Sequence, residues 1–136
     1  MTSPALHKDP AVIAAGHEVL VALRDVCPSL VHAALVTDDG FEIVRVPEGG
    51  DGGRFASMAS SMQALGDAVA RELAMGASDY VVIASPTGHV VQRRVPGSAV
   101  VLSALFDDDE TLGKALAVSR SSVEKLSVHL AAGVVS

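Results

Sequence analysis

Apolar positions along the chain alternate between helical and strand spacing and mark out eight elements. Val12, Ile13, Val19, Leu20, Leu23 and Val26 fall at helical spacing, with Glu18, Arg24 and Asp25 toward water. Asp9 supplies an N-cap, Pro10 fits the first helical position, and Cys27-Pro28 ends the helix. Two β-rich runs follow, Leu30 to Thr37 and Phe41 to Val46, and Asp38-Asp39-Gly40 between them supplies the positive φ that a hairpin turn needs. Pro47 stops the second run, and residues 48–53 read as a flexible acidic glycine loop. A long helix from Arg54 to Met75 comes next, with Gly76 as its C-cap. Three strand-like runs, Asp79 to Ser85, His89 to Val95 and Ala99 to Phe106, are separated by short turns and so predict an antiparallel meander. A last helix over Leu112 to Leu130 carries Leu112, Leu116, Val123, Leu126 and Leu130 on one stripe. The order α-β-β-α-β-β-β-α predicts a single α/β domain over residues 1–136, with residues 1–8 and 47–53 flexible.

The second helix has more than one apolar face. At about 100° per residue, Phe55, Met58, Met62, Leu65, Val69 and Leu73 share one sector. Ala56, Ala59, Gln63, Gly66, Ala70 and Ala74 form an adjacent, mostly small one. The large residues are expected on the chain's own sheet and the small ones against the same helix of a second copy. Simple helix propensity is the rival explanation for the alanines. Gly66 argues against it, because a mid-helix glycine costs up to about 1 kcal/mol and needs a packing reason. Tyr80-Val81-Val82-Ile83-Ala84 carries no charge or proline, so at a sheet edge it would need a partner strand.

Composition narrows the function. Ten basic against sixteen acidic residues give a net charge of −6, which disfavours a phosphate-backbone binder, so no nucleic-acid partner is expected. No run reaches the ~18 apolar residues of a membrane-spanning helix and residues 1–10 hold no leader pattern, so a cytoplasmic protein without membrane insertion is expected. The single cysteine, Cys27, reads as a small buried hydrophobe.

No motif for catalysis stands out. The 49–53 glycine loop precedes a helix but is followed by Arg54-Phe55, where a P-loop needs Lys and Ser/Thr. Asp107-Asp108-Asp109-Glu110 lacks the alternating ligands of a calcium loop and is expected to favour the positive end of the last helix. His7, His17, His32, His89 and His129 show no metal-ligand spacing, and His32 is expected as a core or edge histidine. The serines sit in no nucleophile elbow. A triad assembled from distant residues is left open. Arg93-Arg94 must point to opposite faces of its strand, and a solvated strand face is the expectation for them. No enzyme, metal or cofactor is expected.

From about Ser29 to Leu126 the chain resembles the roadblock/dynein light chain family, whose bacterial members partner small Ras-like GTPases. The resemblance rests on residues 33–40 (AALVTDDG), residues 55–62 (FASMASSM) with Leu65-Gly66, and Val100-Val101-Leu102 through Leu112-Gly113. It implies a profilin-like, α+β sandwich: a five-stranded antiparallel sheet with the second helix on one face and the other two opposite. It also implies a homodimer through the second helix and third strand, placing Ala59, Gln63, Gly66, Ala70, Tyr80, Val82 and Ala84 at the interface. The function so implied is a non-enzymatic scaffold that binds a small GTPase and modulates its nucleotide cycle or localisation. The alternatives are an adaptor for a kinase or cytoskeletal partner and a small-ligand sensor.

Overall fold

The computed structural model describes residues 5–50 and 52–135; residues 1–4 and Asp51, which belong to the stretches expected to be flexible, lie outside it, as does Ser136. The first helix, α1 (Pro10–Val26), opens as anticipated: Asp9 accepts a hydrogen bond from the Ala11 N–H at 3.0 Å. Before it, Leu6–Lys8 form a 3-10 turn. Leu6 packs on the core and His7 stacks on Phe41 at 4.3 Å, so this part of the expected flexible start is fastened down.

Strands β1 (Leu30–Thr37) and β2 (Glu42–Val46) form the hairpin around Asp38 to Gly40. The turn closes through Gly40 N–H to the Thr37 carbonyl, with Gly40 at φ 93°. After α2 (Gly52–Glu72) come β3 (Val81–Ser85), β4 (Gly88–Arg94) and β5 (Val100–Asp107), the expected meander, and then α3 (Leu112–Val135). All strand pairs are antiparallel, and the sheet order is β2-β1-β5-β4-β3. The edges are therefore β2 and β3.

Most of the core lies between the sheet and the α1/α3 layer, where Leu20, Leu23, Leu35, Leu102, Phe106 and Leu126 are buried with Cys27. Gly16 lets α1 approach closely, since a Cβ there would sit 2.7 Å from Leu35 Cδ1. A smaller cluster on the opposite face joins Ala34, Val36 and Val101 of the sheet to Ala56 and Ala59 of α2.

That second cluster reverses the expected orientation of α2. Ala56, Ala59, Gln63 and Ala70 are buried against the chain's own sheet, whereas Leu65 is 67% exposed, Leu73 64% and Met58 57%. The small residues thus seat α2 on its own strands, and Met58, Leu65, Val69 and Leu73 look outward, while Phe55 packs against the same cluster and Met62 is half-buried. Gly66 serves the same seating: a Cβ on it would lie 2.8 Å from Val81 Cγ2 of β3. The helix end also differs. Met75 N–H bonds to the Ala70 carbonyl and Ala74 N–H to the Arg71 carbonyl, a Schellman closure in which Ala74, at φ 55°, takes the capping position expected of Gly76.

Ala59→Leu should therefore destabilise the protein by about 1–3 kcal/mol through overpacking. Ala64→Leu, on the exposed side of the same helix, should stay within about 0.5 kcal/mol of the parent. Urea unfolding of both variants checks this, and equal effects would contradict the orientation.

Candidate partner-binding surface

The two edges of the sheet are built differently. On β2, Glu42 and Arg45 form an ion pair at 3.6 Å, the register with β1 shifts between Leu35 and Val36, and Pro47 follows the strand. Charge, irregularity and proline are the usual protections of a free edge. On β3, residues Val81 to Ser85 run in regular register with β4 and carry no charge. Pro86 follows this strand as Pro47 follows β2, but the edge itself has neither the charge nor the irregularity that protects β2.

Alternation along β3 decides what borders what. Val81 lies beneath Gly66 and pairs with Gln92, whose side chain reaches α2, so Val81, Ile83 and Ser85 face the α2 side. Val82 pairs with Val91 and packs on the α1/α3 core, so Tyr80, Val82 and Ala84 face the other way. Ile83, 54% exposed, thus shares a face with the outward residues of α2. Met58, Leu65, Val69 and Leu73 together with Ile83 form an exposed apolar surface beside an unprotected strand edge.

The residues anticipated at an interface divide accordingly. Tyr80 and Ala84 are exposed and Val82 is half-buried on the edge strand. Ala59, Gln63 and Ala70 are turned inward, and Gly66 abuts Val81. Sequence reasoning placed Met58, Leu65, Val69 and Leu73 on the sheet, and they occupy the open face instead.

The far flank of α2 is tied down by polar groups. Gln92 Nε2 donates to the Ala59 carbonyl at 2.8 Å and to Gln63 Oε1 at 3.2 Å, and Gln63 Nε2 donates to Asp67 Oδ1 at 3.2 Å. Arg94 then bridges Asp67 at 2.9 Å and Asp38 of the hairpin turn at 2.6 Å. The cleft of about 550 Å³ beside this chain of contacts, lined by Asp67, Arg71, Ser78 and Arg94 among others, is open to solvent. Of the Arg93-Arg94 pair, Arg94 is partly exposed beside this cleft and Arg93 is not on the solvated face expected of it. Arg94 is held by two aspartates, and Arg93 is buried beneath α3.

The remaining candidates are absorbed by structure. The N-terminus of α2, where a phosphate would sit, faces the Glu42 carboxyl group: a Cβ on Gly52 would overlap it unless that side chain moved aside. A carboxylate at that positive end repels an anion. The last helix is capped by Thr111, whose hydroxyl accepts from Lys114 N–H at 3.2 Å, while Glu110 accepts from the Ser29 hydroxyl. The acidic run therefore closes the turn before α3: Asp107 Oδ1 accepts from Asp109 N–H at 2.9 Å. Burial, reinforced by Glu110, raises the Cys27 thiol above its ordinary value and so disfavours a thiolate. Among the described residues, no group of three or more His, Cys, Asp or Glu is placed to hold a metal ion. No described helix is long and apolar enough to cross a membrane.

His32 packs edge-on against Phe55 of α2, with ring centroids 4.9 Å apart. Burial, with Arg45 nearby, lowers its pKa below the ordinary 6.5. The unfolded chain then binds the proton more readily than the folded one. Stability is full above about pH 6.5 and is lost as pH falls through the lower folded-state value. Thermal midpoints measured between about pH 7.5 and 5 should show this fall, and His32→Gln should flatten it. An unchanged slope would contradict the coupling.

No known family profile and no curated protein matches this sequence. Solved structures do. The gliding protein MglB from Thermus thermophilus superposes with a TM-score of 0.79 at 20% identity, covering 94% of this chain and 97% of that one. MglB of Myxococcus xanthus gives 0.81 at 16% identity, covering 97% and 96%. A Roadblock/LC7 domain from Streptomyces avermitilis gives 0.76 at 18% identity, covering 83% and 95%. The chain has the roadblock fold.

Proposed function

We propose that this protein is a non-enzymatic homodimeric regulator that binds a small Ras-like GTPase and modulates its nucleotide cycle or localisation. The observation that carries the reading is the exposed apolar ridge of α2 beside the unprotected edge of β3. A bare strand edge satisfies its backbone groups by pairing with another strand, and pairing with its own twofold mate satisfies both at once. The same twofold would bring the two α2 ridges toward each other and remove leucine, valine and methionine surface from water. Likeness in fold to MglB supports a regulatory role rather than catalysis. The nucleotide would belong to the partner, since the glycine-rich entry to α2 faces a carboxylate.

Ile83→Arg places a charge within the proposed interface. Self-association should weaken by about 3 kcal/mol or more, over a hundredfold in Kd, with unchanged helix content. Sedimentation velocity against circular dichroism checks this, and an undisturbed dimer would contradict the assignment. Mixing the wild-type protein with small GTPases encoded in the same genome should yield a complex or altered GTP turnover. Neither effect with any of them would remove the GTPase.

A further inference from the structure

Arg93 lies under α3, although its neighbours Val91 and Val95 show that apolar side chains fill this layer. Its Nε donates to Ser119 Oγ at 2.9 Å and its Nη2 to the Leu116 carbonyl at 3.0 Å, both on α3. Nη1 reaches the other way, to the Asp79 carbonyl at 3.5 Å and the Asp79 carboxylate at 3.6 Å. The guanidinium carbon also stands 5.0 Å from the centroid of the Tyr80 ring. One side chain therefore grips α3 with one end and, with the other, the two residues that lead into β3.

Little else fixes that strand. β3 is hydrogen-bonded on one side only, to β4, and of its side chains Val82 packs on the α1/α3 core while Val81 lies under Gly66. Ile83, Ala84 and Ser85 are exposed. Burying an arginine is costly where an apolar residue would pack as well, and what such a group provides is a specified geometry. The carboxylate it meets, that of Asp79, is itself largely exposed, so charge neutralisation is a poor account of the burial.

We propose that Arg93 is a positioning residue for self-association: it couples α3 to the entry of β3, so that the placement of α3 sets how the β3 edge is presented to a second copy. This rests on the pairing of β3 proposed above. A displacement of α3 that breaks the Ser119 and Leu116 contacts frees Asp79 and Tyr80 and lets the strand entry shift. Self-association then responds to events on α3, a helix on the opposite face of the sheet from the α2 ridge.

Tyr80 is the only tyrosine and the chain has no tryptophan, so intrinsic fluorescence reports on this junction without labelling. Arg93→Met should leave the far-ultraviolet spectrum unchanged, alter Tyr80 emission and weaken the dimer about tenfold or more. Arg93→Lys keeps a charge and an aliphatic stem but cannot span Ser119, Leu116 and Asp79 together, and should act in the same direction. If the Met variant fails to fold, the Lys variant carries the test. Ser119→Ala should weaken the dimer less, and combining it with Arg93→Met should add nothing further, because both remove one contact. A wild-type dimer whose Kd is unmoved by Arg93→Met and Arg93→Lys overturns the coupling and leaves the pairing of β3 standing. A wild-type monomer at micromolar concentration overturns both.

Discussion

The seating of α2 governs the rest of the molecule. Alanines at 56, 59 and 70 and the Gln63–Gln92 amide pair hold the helix on Ala34, Val36 and Val101, with Gly66 against Val81. Small residues allow that approach and contribute little apolar burial, and a buried amide must find partners or cost free energy. The Gln92 nitrogen finds two, the Ala59 carbonyl and Gln63 Oε1, which fixes how α2 lies on the sheet, while its buried oxygen is left without a hydrogen-bond partner. Once the helix is fixed in this way, Met58, Leu65, Val69 and Leu73 are turned outward. An exposed apolar ridge beside an unprotected strand follows from the choice of small residues beneath.

Much of this was legible in the chain. The Asp-Gly hairpin, the short turns of the meander, the Asp9-Pro10 helix entry and the order of elements all rest on local chemistry, and the structure agrees with them within a residue or two. Two sectors on the second helix were also legible, but which one faces inward was not. Periodicity gives the angle between two stripes and is silent on what waits opposite each. The rule that large apolar residues belong inside inverted α2, because the small sector is the one that fits against Ala34, Val36 and Val101. Gln63 among the alanines was the available signal, since an amide shared with a facing strand marks a buried seam. The pairing of Gln63 with Gln92 depends on tertiary register that no single-sequence pattern encodes.

The arginine pair shows the same limit from another side. Alternation separated Arg93 from Arg94 correctly, one toward each layer. Their partners lie far along the chain: Asp38 and Asp67 for Arg94, and Leu116 and Ser119 for Arg93. One arginine locks α2 to the hairpin turn while its neighbour joins α3 to the entry of β3. Adjacent residues on one strand thus anchor both helical layers to the half of the sheet that ends in the unprotected edge.

The pairing of β3 is tested most directly by hydrogen exchange resolved at single amides. At concentrations where the protein self-associates, the β3 amides directed away from β4 should be protected alongside α2, and dilution should remove that protection while β4 and β5 keep theirs. Rapid exchange of those outward amides at every concentration, with β4 and β5 still protected, would contradict the account.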